Sequence, residues 1–188
     1  IIGVNIRPQD SQAFARFIEQ DGEYVLKTMA ADGETHYEHI RSIVQQIDGA
    51  QAPEKVDAAL ADANTQLVTS TVTEGGYFLD PATGGFDVPH PDIQYDAAHP
   101  DTPCTAFGAI IAALRLRRDR GIGPFTCQSC DNLQGNGAVL RQTVVTLARL
   151  TDPDLADWID QNCSFPNAMV DCIVPATGPR EIELAQGF

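Results

Sequence analysis

The chain has 188 residues, a hydrophobic fraction of 43% and no low-complexity tract, which gives room for one domain with a sizeable core and excludes a disordered chain. Its formal net charge of -14 repels phosphate backbones and argues against a nucleic-acid partner, and no apolar run approaches the length that spans a membrane. Five cysteines without framework spacing point to a reducing compartment, taken as the cytoplasm.

The opening Ile1-Ile2-Gly3-Val4-Asn5-Ile6 has no basic leader and no cleavage site and reads as a buried strand. Asp10 or Ser11 caps a short predicted helix through Gln20, with Phe14, Phe17 and Ile18 at helical spacing. Tyr24 to Ala31 and Thr35 to Ile47 then read as a hairpin joined at Asp32-Gly33, a dipeptide suited to positive φ angles. Glu54 to Asp62 is a predicted connecting helix, and the β-branched run from Gln66 to Glu74 suits a central parallel strand. Gly75 to Thr102, rich in Pro, Gly and Asp, is expected to be an irregular surface excursion. Thr105 to Arg120 is a predicted helix with Phe107, Ile110, Ile111 and Leu114 inward; its basic end answers the helix dipole.

The stretch from Pro124 to Gly137 organises the rest. A short β-prone run stops at Ser129-Cys130-Asp131-Asn132, a glycine-bearing turn follows, and a helical pattern runs from Ala138 to Leu150. In an open α/β sheet, ligands sit at the carboxyl ends of strands, which makes Asn132 the first candidate for a working residue. Asp152-Pro153 starts a further helix with Leu155, Trp158 and Ile159 as its apolar face, and Met169 to Val174 is a predicted last strand. Strands alternating with helices predict an α/β domain whose open sheet is mainly parallel, with the hairpin as an insertion.

The residues alone offer little metal chemistry. Cys127 and Cys130 have a chelating spacing, but three residues apart on a strand they face opposite sides, and the same holds for His36 and His39. His90, Asp92, Asp96 and His99 lie in His-Pro-Asp triplets that also make ordinary turns, so no metal site is expected. Gly135-Asn-Gly137 before a helix imitates a dinucleotide fingerprint, yet Leu140 stands where the third small residue belongs.

Three motifs, Thr71-Val-Thr-Glu-Gly-Gly-Tyr77, Pro124-Phe-Thr-Cys-Gln-Ser-Cys-Asp-Asn132 with Asn136-Gly137, and Phe165-Pro-Asn-Ala-Met-Val-Asp171, resemble in order and separation the N-terminal Rossmann-type domain of the long-chain mannitol dehydrogenase family. The resemblance implies an NAD-dependent oxidoreductase that interconverts a sugar alcohol and a ketose without a metal, using a lysine as general base. It implies catalytic roles for Asn132 at the substrate oxygen, for Asp171 at the reaction site and for Glu74 on the proton path. It also implies cofactor contacts at Asp10, Thr73, Ser129 and Val170, with Asp10 at the adenosine ribose. The family's first strand and glycine-rich loop precede the position of Ile1, and its Lys-x4-Asn-x2-His motif belongs to a helical domain beyond Phe188. Residues 1 to 188 are thus expected to form part of an NAD-binding domain that is inactive alone.

Within the family, the resemblance leaves open a reductase of hexuronates such as fructuronate. A non-catalytic binding module on the same fold is the alternative of another class. Asn132 and acids at the strand ends favour a neutral polyol over a carboxylate-bearing substrate. The motifs do not fix the oligomeric state, for which a monomer is the default.

Overall fold

The apolar opening residues do form a strand, but not the buried one expected, since Ile2 and Val4 are exposed, and its partner is not the next strand in the chain. β1 (Ile2–Asn5) is followed by α1 (Ser11–Glu19), β2 (Tyr24–Met29), β3 (Thr35–Ile40) and β4 (Gln45–Asp48). β1 pairs in parallel with β4, setting Val4 opposite Ile47 and Asn5 opposite Asp48. A parallel pair needs a long crossover, and here α1 and the antiparallel β2–β3 hairpin supply it. The hairpin turns through Gly33 at φ +90. The expected single run from Thr35 to Ile47 is thus two strands with different partners. β3 is largely exposed, whereas β4 buries Ile47 against its own neighbours.

The computed structural model describes residues 1–170 and 177–187, and of Glu74 the backbone alone. The chain divides into two units: Ile1–Ala52 with the C-terminal helix, and Pro53–Val170.

The second unit contains α2 (Pro53–Ala61), β5 (Leu67–Ser70), α3 (Pro91–Ala98), α4 (Ala106–Asp119), β6 (Thr126–Ser129), α5 (Asn136–Arg149) and α6 (Pro153–Asn162). β5 and β6 are parallel, with Val68 opposite Cys127 and Ser70 opposite Ser129. The core gathers Phe107, Ile110 and Leu114 of α4, Leu140, Val144 and Leu147 of α5, and Leu155 and Ile159 of α6, with Phe125 and Cys127 beside them. Each such side chain contributes about 1.5 to 3 kcal/mol on burial. Thr105 and Asp152 cap α4 and α6, accepting from the N–H groups of Gly108 (3.0 Å) and Leu155 (2.8 Å). Trp158, expected on the apolar face of α6, is half-buried against the core.

The segment from Gly75 to Thr102 is no surface excursion. Tyr77 and Ile93 are fully buried, and Asp96 is buried with its carboxylate accepting from Cys104 N–H (2.7 Å) and the Thr105 hydroxyl. Its apolar residues, Tyr77, Phe78, Leu79, Phe86 and Ile93, are spaced too irregularly to show a period, so Pro and Gly dominated the reading. His90 caps α3 by accepting from Asp92 N–H (3.2 Å), and the His99 ring stacks on Tyr95 at 4.2 Å. Among the described residues no group of three or more His, Cys, Asp or Glu side chains is arranged to hold a metal ion.

The basic end of α4 is structural. Arg117 is buried, lies 5.3 Å over the Phe125 ring, and donates to the carbonyls of Leu60, Asp62, Thr65 and Gly123. It thereby closes the end of α2 onto α4. α7 (Pro179–Gln186) is the last described element. The predicted strand from Met169 lies outside the described residues from 171 onward, and Met169 and Val170 themselves are irregular. No described helix is long and apolar enough to cross a membrane.

Candidate functional site

β5 and β6 end side by side, and the Cys130 N–H donates to Ser70 O at 2.8 Å as the last bond of the ladder. Beyond it the two chains part and leave a cleft of ≈ 300 Å³ lined by Thr71, Thr73, Cys130, Asp131 and Asn132. Such a crevice past parallel strand ends is where an open α/β sheet presents side chains to a ligand.

One buried carboxylate sets the shape of the cleft. Asp131, 5% exposed, accepts from the N–H groups of Val72 (3.0 Å) and Thr73 (2.9 Å) and from the Tyr77 hydroxyl (2.8 Å). Thr73 stands at φ 63, ψ 167, and residues Glu74–Tyr77 follow as a 3-10 turn closed by Phe78 at φ 52. A β-branched residue at positive φ is an outlier on steric grounds, so the surrounding bonds must hold it. The Tyr77 hydroxyl also lies 2.5 Å from Ser129 Oγ, and Ser129 Oγ accepts from Asp131 N–H at 3.2 Å. Burial pushes the Tyr77 phenol up to about 12; the hydrogen bond with Ser129 opposes the rise, and the bond to Asp131 and its charge add to it. The phenol is therefore a fixed donor.

The expected residues are placed as follows. Thr73 and Asn132 face each other's strand ends on the cleft, both exposed, and the Asn132 amide has no hydrogen-bond partner among the described residues. Glu74 begins the 3-10 turn next to Thr73. Ser129, expected at the cofactor, is instead fully buried: the alternation of β6 turns it inward with Cys127, and its hydroxyl is taken by Tyr77. Val170 is half-buried at the end of a segment held by Asn136, whose amide accepts from Ala168 N–H (2.9 Å) and donates to the carbonyls of Ala168 (2.9 Å) and Asp131 (3.1 Å). Asp171 lies outside the described residues. Asp10 belongs to the first unit, just past β1, where it accepts from Arg7 Nε at 2.6 Å. It occupies the N-cap position of α1 without a side-chain capping bond, so the carboxylate is directed at Arg7.

Gly137 serves packing. A Cβ there would come within 2.5 Å of Phe165 O and 2.6 Å of the Pro166 backbone, and the Gly137 N–H donates to Asn167 Oδ1 at 2.9 Å. Of the glycine pair that imitates a phosphate-binding loop, Gly137 is committed to internal packing, and Gly135, at φ 65 with open space around it, begins α5 at its N-cap.

Asp131 and Tyr77 lie inside two of the sequence motifs but are not among the site residues that those motifs imply. The available signal was that Asp131 sits between two cleft residues, Cys130 and Asn132. Chemically the cleft offers an amide, two threonine hydroxyls and a thiol beside the Asp131 carboxylate, which is engaged from within, and among the described residues no lysine or arginine lines it. Neutral donors of this kind suit polyhydroxyl compounds and the carbonyl or alkoxide oxygens derived from them.

The comparisons agree with this geometry. The family model of the mannitol dehydrogenase Rossmann domain matches residues 1–187. The mannitol 2-dehydrogenase of Cereibacter sphaeroides is 49% identical over 192 residues, covering 100% of this chain and 39% of that protein. Among solved structures, the mannitol 2-dehydrogenase of Pseudomonas fluorescens in a ternary complex with NAD and D-mannitol superposes with a TM-score of 0.93 at 39% identity, covering 100% of this chain and 38% of its own. A D-sorbitol dehydrogenase in substrate-free form superposes with a TM-score of 0.94 at 34% identity, covering 100% of this chain and 39% of its own. The chain thus spans about two fifths of the length of the relatives it matches. The fold is Rossmann-like α/β, with parallel strands flanked by helices.

Proposed function

The chain belongs to the mannitol dehydrogenase family, and from that premise we propose that it is the cofactor-binding part of an NAD-dependent polyol dehydrogenase interconverting a sugar alcohol and a ketose, mannitol and fructose being the reference pair. The observation that supports the reading is the exposed Asn132 amide in a cleft shared with Thr73, past the ends of two parallel strands.

In this reading Asn132 donates to the substrate oxygen as it gains negative charge, a task for which a neutral amide fixed by a strand end is suited. Glu74, whose backbone begins the turn after Thr73, would serve the proton path to a base, which the family likeness implies is a lysine. The likeness assigns Asp171 to the reaction site, and Val170 would contact the nicotinamide. When bound, NAD takes up or gives the hydride. Asp10 would hold the adenosine ribose; one carboxylate oxygen is engaged by Arg7 and the side chain is 43% exposed, which leaves it able to accept from a ribose hydroxyl. Thr73 is the remaining cofactor contact, and Ser129 supports it from behind through Tyr77 and Asp131.

The described lining, which holds no lysine or arginine, supports a neutral polyol over a hexuronate, whose carboxylate needs a cation. The net charge of -14 supports the absence of nucleic acid as a partner, and the unpaired cysteines support a cytoplasmic site of action. The test is steady-state kinetics of the full-length protein with NAD and mannitol, sorbitol or fructuronate. Mannitol oxidation that exceeds fructuronate reduction is expected. Absence of NAD-dependent turnover with every polyol and hexuronate overturns the reading, and a preference for fructuronate moves it to the hexuronate branch.

A further inference from the structure

We propose that Asp131 is a positioning residue that holds Thr73 and Glu74 across the cleft from Asn132 by gripping a backbone turn the chain would not keep unaided. The inference rests on the reading that this cleft receives the cofactor and the polyol.

Three observations carry it. Thr73 lies at φ 63, ψ 167, a region costly for any residue with a Cβ and more so for a β-branched one. Both oxygens of Asp131 are turned onto that turn: Oδ1 accepts from Thr73 N–H, and Oδ2 from Val72 N–H and the Tyr77 hydroxyl. Tyr77 ends the 3-10 turn that starts at Glu74, so the one carboxylate holds the turn at both ends. Asp131 is also the chain neighbour of Asn132. The distance between the amide and the Thr73–Glu74 turn is therefore set through one short, buried side chain, with no loop slack between them. All the donors are backbone N–H groups or the buried phenol, so Asp131 acts on the reacting atoms only through what it holds.

An amide in its place keeps the shape and reverses the chemistry at one oxygen. Whichever way the Asp131→Asn side chain is turned, an NH2 group faces a donor: Thr73 N–H in one orientation, Val72 N–H and the phenol in the other. The turn then loses part of its clamp and relaxes toward negative φ at Thr73.

The test uses the full-length protein and three readouts: thermal melting, hydrogen exchange at the Val72 and Thr73 amides, and kinetics with NAD and mannitol. Asp131→Asn is expected to stay folded, to exchange faster at both amides, and to lose about a hundredfold in kcat/KM, the order expected when a positioned group shifts by about an ångström. Adding Thr73→Gly to Asp131→Asn is expected to recover part of the lost melting temperature and of the protection at the Val72 amide, because glycine takes a positive φ at no steric cost. A folded Asp131→Asn protein with unchanged amide protection and kcat/KM overturns the proposal, as does a loss of melting temperature and amide protection that Thr73→Gly leaves as large. Where Asp131→Asn does not fold, Thr73→Gly alone decides. Relief of strain is expected to hold or raise its melting temperature, and a fall of the ordinary Thr→Gly kind overturns the clamp. If the unmutated protein turns over no polyol with NAD, the functional reading fails, while exchange and melting still judge the clamp separately.

Discussion

Each parallel strand pair ends on a buried polar side chain, and the two do different things. At the end of β1, Asn5 is 8% exposed; its Oδ1 accepts from Arg7 N–H (3.2 Å), and its Nδ2 donates to Arg7 O (3.0 Å) and to Asp48 Oδ1 (2.9 Å). An amide is both donor and acceptor, so it can fold the chain back on a residue two positions away and leave Arg7 and Asp10 pointing outward. At the end of β6, Asp131 is acceptor only, and it reaches a turn 58 residues away in sequence. A neutral hub makes a local loop that displays charge. A charged hub makes a distant tie that leaves neutral groups on display. The first arrangement suits selecting among ligands by charge, and the second suits fixing the geometry of a reaction.

The largest effect is expected where the second arrangement meets the substrate. Asn132→Ala should lower kcat of the full-length protein a hundredfold to a thousandfold, or about 2.7 to 4 kcal/mol, with little change in KM, because the amide is worth more to a developing alkoxide than to an alcohol. A raised KM at unchanged kcat assigns Asn132 to binding alone and removes the contrast.

Next is the tie itself. Tyr77→Phe should destabilise by about 1 to 3 kcal/mol by chemical denaturation, since Asp131 and Ser129 lose a buried partner. The pH dependence carries a matching sign. Burial raises the phenol from 10.0 to about 12 in the folded protein, so the unfolded chain releases the proton first and stability falls as pH rises from about 10 toward 12. Below pH 10 that loss is absent, and the Tyr77→Phe protein should lack it throughout. Equal stability slopes for the two proteins over that window break the assignment.

The smallest effect belongs to the first strand end. Asp10→Ala should shift the kcat/KM preference for NAD over NADP by about tenfold, because it removes repulsion of a 2′-phosphate and frees Arg7 to pair with one. An unmutated enzyme that prefers NADP, or a preference unmoved by the change, breaks the reading of that end as the charge selector.

The same contrast explains what could be read from the sequence. The Asn5, Arg7 and Asp10 arrangement lies within six residues, and its placement just past a strand was visible in the chain. The order of strands and helices around Asn132 was equally visible, because Leu67 to Ser70, Thr126 to Ser129 and the helix after Gly135 each carry a strong local pattern. Tyr77 and Ile93 were not, since nothing local marks a residue in a Pro- and Gly-rich stretch as core. The grip of Asp131 on Val72 and Thr73 was hidden for the same reason: it joins two segments whose proximity exists only once β5 and β6 pair. The inward turn of Ser129 depends on the register of β6, and a one-residue shift would have put it on the cleft.

The bare α-carbon at Gly137 has a mechanical consequence. With Phe165 O and Pro166 closer than any methyl group allows, and Asn136 and Gly137 bonded to Ala168 and Asn167, the segment 165–168 has no clearance against the start of α5. In the proposed reading Val170 flanks the nicotinamide two residues beyond this packed segment, so the start of α5 bears on the position of that wall through a residue that has no side chain at all.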